Sequence, residues 1–106
     1  MVYTITPHTM SGRNEFEWDE DNEDKLADKH RVDRYEAEEV AEDPKVVIRR
    51  VGQDRYGNPR YIYIGKTREG RILFMVVDRK GRRRLRIGSA RDADFGQKRY
   101  YRRNSR

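Results

Sequence analysis

No cysteine occurs in this 106-residue chain, which excludes disulfides and thiolate chemistry and gives no sign of an oxidising compartment. Histidine is limited to His8 and His30, far apart in sequence, and the acidic residues have no EF-hand spacing. Neither a metal site nor a cofactor is expected. No apolar run approaches the ~20 residues that cross a bilayer. Met1–Asn14 lacks the basic and apolar regions of a signal peptide, so the expected location is the cytoplasm, without a membrane partner. Apolar residues make up only 34% of the chain against 42% charged. Such a short chain forms one domain with a small core, marginally stable alone.

What is abundant is charge, and it is sorted. Residues 15–44 hold 14 Asp/Glu against 4 Lys/Arg, whereas residues 45–106 hold 20 Lys/Arg against 5 Asp/Glu. A half that basic concentrates polyanions at its surface. The acidic half either covers part of that surface or keeps the chain soluble.

Residues 1–14 show no periodicity and read as a flexible leader before a single domain over 15–106. Phe16 and Trp18 share one face of a short strand. Asp19–Arg31 reads as a helix, with acids in its first turns and Lys29, His30 and Arg31 at its end, matching the macrodipole. Asp33 and Glu36 have capping-box spacing and open a second helix that stops at Asp43-Pro44. The period then changes. Val46–Ile48 is a strand and Tyr56–Pro59 a turn. Over Arg60–Lys66, Tyr61 and Tyr63 alternate with Ile62 and Ile64, and Ile72–Val77 is apolar on both faces, as a covered central strand requires. Leu85 and Ile87 oppose Arg84 and Arg86. Ser89 is expected to cap a last helix running to about Arg102, weakened by Gly96 in its middle, with Ala93, Gln97 and Tyr100 or Tyr101 inward. The short connections predict an α+β fold: an antiparallel meander with two N-terminal helices and a C-terminal helix on one side.

These residues resemble the BrnT toxins of bacterial toxin–antitoxin operons. The resemblance runs over about residues 15–102, through Phe16-Glu17-Trp18-Asp19-Glu20, Lys29-His30-Arg31-Val32, Ala37, Val40, Asp43-Pro44, Arg60, Gly65, Arg71-Ile72-Leu73 and Arg86-Ile87-Gly88-Ser89-Ala90-Arg91, then Ala93 and Tyr101. It implies a RelE-like endoribonuclease that cuts RNA and halts growth. It also implies neutralisation by a BrnA-like ribbon-helix-helix antitoxin in a heterotetramer, with operator DNA bound only through the antitoxin. The chain departs from the family pattern at Asn22, Leu26, Arg31, Gly88 and Gln97. The alternative is therefore a noncatalytic RNA-binding module or inactive toxin remnant. A third reading is a protein whose basic half serves only an acidic protein partner.

Metal-free RNA cleavage needs a base for the 2′-OH, an acid for the leaving oxygen and cations for the pentavalent phosphate. Arg60, Arg71, Arg86 and Arg91 lie on strands or strand ends that a meander sets side by side, and guanidinium suits phosphate geometry. His30 is the candidate for proton transfer, because imidazole titrates near neutrality; Lys29 and Tyr101 are weaker candidates. His30, Arg60, Arg71 and Arg91 are thus the expected catalytic group. Arg83, Arg84 and Arg86 would hold backbone phosphates. Tyr61, Tyr63 and Tyr101 would meet the RNA beside them, the first two as stacking faces for unpaired bases. Phe16 and Trp18 are read as core.

Overall fold

The computed structural model describes residues 3–7 and 14–105. Its elements are β1 (Tyr3–Pro7), β2 (Glu15–Asp19), α1 (Glu20–His30), α2 (Arg34–Ala41), β3 (Val47–Gln53), β4 (Pro59–Lys66), β5 (Ile72–Arg79), β6 (Arg84–Asp92) and α3 (Phe95–Asn104). They form one six-stranded sheet in the order β1-β2-β6-β5-β4-β3. The meander from β3 to β6 is antiparallel throughout. β2 joins it parallel to β6, and β1 pairs antiparallel on the outside of β2. The strand at Tyr3–Pro7 falls inside the segment expected to be a leader. Residues 1–2 and 8–13 of that segment lie outside the described residues. No described helix is long and apolar enough to cross a membrane.

The helix boundaries follow local chemistry. The Asp19 carboxylate accepts the Asp21 N–H at the start of α1, and Arg31 closes that helix in the left-handed region at φ 52. The Asp33–Glu36 box is present at the start of α2 with both reciprocal bonds. The C-terminal helix differs from expectation. Ser89–Asp92 stays in β6, because that stretch continues the ladder with β5 as far as Leu73–Asp92. The helix begins after Asp94, which forms a capping box with Gln97. Gly96 therefore sits in its first turn, not its middle.

Side chains of the sheet divide between two cores. Beneath α1 and α2 lie Phe16, Trp18, Tyr63, Leu73, Met75, Val77, Leu85, Ile87 and Ala90, with Leu26, Val40 and their neighbours supplied by the helices. Trp18 is wholly internal, and its indole N–H donates to Glu38 Oε2 at 2.8 Å. On the opposite face Val47, Ile64 and Ile72 pack with Ala93 and with Tyr101 of α3. The helices thus occupy both faces of the sheet, not one side as expected. A single docked helix leaves much of the second face uncovered.

One extra residue in β6 determines which side chains reach that second face. Val76 pairs with Ser89 while Val77 pairs with Ile87, so Gly88 is a bulge with no partner of its own. A bulge inverts the alternation of everything beyond it. Ile87 and Ala90 both enter the core under α1 and α2, and Arg91 emerges on the same face as Arg86.

Helix α2 approaches β4 closely because Gly65 has no side chain. A methyl group there would stand 2.9 Å from the Val40 carbonyl oxygen and 3.0 Å from Val40 Cγ1. Gly65→Ala should therefore destabilise the fold by about 1–3 kcal/mol, the usual cost of overpacking, read as a lower melting temperature. An unchanged melting temperature would show that α2 moves aside freely.

Candidate nucleic-acid interface

The second face gathers charged side chains from three strands. Arg60 opens β4, Asp78 lies near the end of β5 and Arg86 near the start of β6, and the three are directly opposite one another in the ladder. Asp78 is only 2% exposed. Arg60 clasps it through two bonds, Nε to Oδ1 at 2.7 Å and Nη2 to Oδ2 at 3.3 Å. That bonding, opposed by partial burial, raises the Arg60 pKa further above its ordinary value and keeps it charged. Arg86 Nη1 stands 3.8 Å from the same carboxylate, an ion pair without a hydrogen bond. One carboxylate thus aligns two guanidiniums but uses few of their donors. A cleft of about 160 Å³ opens over them, lined also by Asp54, Arg55, Tyr56 and Lys80. Four of its seven lining side chains are cationic and two are carboxylates, so it is net positive. The Lys80 ammonium is anchored at 2.7 Å to the buried Glu17. Asp54 locks the adjoining turn. Burial pushes its carboxyl up, but hydrogen bonds from Asn58 and Tyr56 prevail and leave it below the ordinary value.

Arg91 lies on the same face, opposite Phe74, about 13 Å farther along the strands at ~3.3 Å per residue. Its guanidinium carbon rests 4.5 Å from the Phe74 ring centroid, and Nη1 donates to Gln97 Oε1 at 3.2 Å. Gln97 is the neutral residue that also closes the α3 cap, and among the described residues no carboxylate forms an ion pair with Arg91.

Other expected site residues are placed elsewhere. Arg71 belongs to the opposite end and face of the sheet. It binds both Asp92 oxygens, Glu36, and the carbonyls of His30 and Arg31. The Asp92 bond, opposed by burial and reinforced by Glu36, raises its pKa above the arginine value. It is a clamp between the α1–α2 junction and the sheet. His30 ends α1 at this clamp, about 20 Å along β5 from Asp78. His30 and Arg71 do not converge with Arg60 and Arg91.

The tyrosines also differ from expectation. Tyr63 is 2% exposed within the core under the helices, where burial pushes its hydroxyl pKa up. Tyr61 is half-buried on that same face, with the Arg79 guanidinium over its ring. Tyr101 is 4% exposed and donates its hydroxyl hydrogen to Asp43 Oδ2 at 2.7 Å. Burial first, then that bond, raises its pKa. Neither Tyr63 nor Tyr101 has a face open to a base: the alternation of β4 turned the one inward, and α3 docking covered the other. Arg83 and Arg84 are exposed at the β5–β6 turn beside Arg82, and Arg84 lies 3.8 Å from Glu15. Lys29 is exposed on α1.

Asp78 and Tyr56 were not singled out from the sequence. A lone acid ending the apolar run Phe74-Met75-Val76-Val77 is the signal that marked Asp78. Among the described residues no group of His, Asp and Glu is arranged to hold a metal ion.

A family model described as the ribonuclease toxin BrnT of type II toxin–antitoxin systems matches residues 18–95. A search of curated proteins gives no match.

The clamp predicts acid sensitivity. Hydrogen bonds from Arg71 hold the Asp92 carboxyl below its ordinary 3.8. Its stabilising contribution is present above that value and is lost as pH falls through the lower folded value. Asp92→Asn should reduce stability near neutrality by up to about 1 kcal/mol, the upper end for an exposed pair. It should also flatten the acid limb of a melting-temperature profile. A parallel profile for parent and variant would remove Asp92 from the clamp's energetics.

Proposed function

Because the chain belongs to the BrnT family of ribonuclease toxins of type II toxin–antitoxin systems, we propose that it cleaves cytoplasmic RNA on the arginine face of its sheet and so inhibits growth. The observation that carries this reading is the delivery of Arg60, Arg86 and Arg91 to one open face, with Asp78 aligning the first two. A phosphodiester seated over Asp78 would meet the unspent donors of Arg60 and Arg86, and the neighbouring backbone would run toward Arg91. In the cleavage step the 2′-oxygen attacks the adjacent phosphorus and the bond to the 5′-oxygen breaks. The 2′-proton is lost and one is gained by the departing 5′-oxygen. Guanidiniums favour the extra negative charge of the pentavalent state over the ground state, which is the condition for catalysis. His30 and Arg71 have no part in this arrangement, since both sit at the clamp. The expected positive charge is supplied by side chains, which supports a metal-independent route.

Type II systems pair each toxin with an antitoxin. The proposed partner is a BrnA-like ribbon-helix-helix protein in a heterotetramer that reaches operator DNA through the antitoxin. A second reading, RNA binding without cleavage, is favoured by two positions. The Asn22 amide is spent on the Ile87 carbonyl at 2.6 Å, and neutral Gln97, a departure from the family pattern, stands beside Arg91. Growth arrest with RNA fragments on induced expression supports the enzyme. RNA retardation without fragments supports the binder.

Arg91→Ala and Arg86→Ala should each slow RNA cleavage by about 10²-fold, the scale of one lost transition-state donor. Arg91→Ala should melt within a few degrees of the parent. Arg60→Ala should lose as much activity and also destabilise the fold by about 1–3 kcal/mol, since it strips a buried carboxylate of two hydrogen bonds while Arg86 stays beside it. Cleavage rates and growth after induction measure both effects. Parent-level cleavage by both Arg86→Ala and Arg91→Ala would move the phosphate site elsewhere.

A further inference from the structure

The turn between β3 and β4 presents an aromatic ring that phosphate binding does not use. Tyr56 is 75% exposed on the rim of the cleft above Arg60, Asp78 and Arg86. The backbone beneath it is held firmly. The Asp54 carboxylate accepts the Tyr56 N–H and the Asn58 N–H, each at 2.9 Å, and the Asn58 side-chain amide at 3.0 Å. Backbone bonds from Asp54 to Asn58 and from Gly57 to Asp54 close the same turn, with Gly57 at φ 84, a conformation that glycine adopts without strain. The Arg55 guanidinium carbon lies 5.3 Å from the Tyr56 ring centroid. No other ring contact or hydrogen bond engages the side chain among the described residues. A large ring exposed on a hydrogen-bonded turn, close to a cation and beside a basic cleft, is prearranged for a planar, electron-rich ligand.

We propose that Tyr56 is a nucleobase platform. A base next to the phosphate held by Arg60 and Arg86 stacks on the ring, with Arg55 close by. Stacking uses the π-face that every base carries, so it selects unpaired over paired RNA without selecting one base. The rigid turn limits the ordering entropy lost on binding. The inference rests on the RNA reading above and specifies its substrate class as single-stranded RNA.

The test compares two probes by fluorescence anisotropy: a short single-stranded 2′-O-methyl oligoribonucleotide, which lacks the attacking hydroxyl, and an abasic backbone of equal length. The parent should bind the base-bearing probe more tightly. Tyr56→Ala should weaken that binding about tenfold or more, the scale of one lost base–aromatic stack. It should leave the abasic probe unaffected, while Tyr56→Phe behaves as the parent. Tyr56→Trp should show emission quenched by the base-bearing probe alone, against the constant signal of internal Trp18. Equal affinity of Tyr56→Ala and parent for the base-bearing probe overturns the platform, as does an equal loss on both probes. A parent protein that binds neither probe overturns the RNA reading itself and the platform with it.

Discussion

The two-faced character of this protein depends on the alternation of β-strand side chains and on its interruption in β6 at Gly88. Alternation sends Tyr61, Tyr63, Leu73, Met75 and Val77 beneath α1 and α2, and it sends Arg60, Asp78 and Arg86 the other way. Without the bulge, Arg91 would follow Ile87 into the core, where a charged group costs several kcal/mol unless paired. The extra residue turns Arg91 outward over Phe74 and lets Ala90 fill the interior. The bulge is thus both a packing device and the reason why two arginines five residues apart in β6 serve one surface.

Arginine plays two opposed parts on this scaffold. At the clamp, Arg71 is saturated by two carboxylates and two carbonyls, and its charge is used to bind the α1–α2 junction to the sheet. At the cleft, two arginines share one buried carboxylate, so the pair keeps net positive charge and unspent donors. Carboxylate supply decides between the two fates. The acidic segment contributes Glu36 to the clamp and Glu17 to Lys80 at the cleft, whereas Arg60 and Arg86 have Asp78 between them.

Much of this architecture was legible in the sequence, and its limits have physical causes. The α1 and α2 boundaries were readable from Asp19, Asp33 and Glu36 because capping is local. The meander was readable from the alternation of Arg60–Lys66 and the apolar run of Ile72–Val77. The start of α3 was misplaced because Ser89-Ala90-Arg91-Asp92 carries cap-like residues, while ladder bonds to β5 hold it extended; the Asp94–Gln97 box three residues on was the true signal. The C-terminal helix was expected but its face was misplaced, because Tyr101 docks through the distant Asp43, a long-range bond without a local sequence mark. The arginines were found as a group, but not divided. Arg60 and Arg91 belong to the open face and Arg71 does not, since its partners Glu36 and Asp92 come from distant segments.

The parallel pairing of β2 with β6 places Glu15 beside Arg84 and so joins nearly the first described strand to the last. Loop closure over such a span is slow, and contacts of this kind form late. A nascent chain on the ribosome must hold Phe16 and Trp18 without their sheet neighbour until β6 has emerged. Arg86 and Arg91 arrive on that same final strand. The basic surface and the core under α1 and α2 therefore both wait for β6.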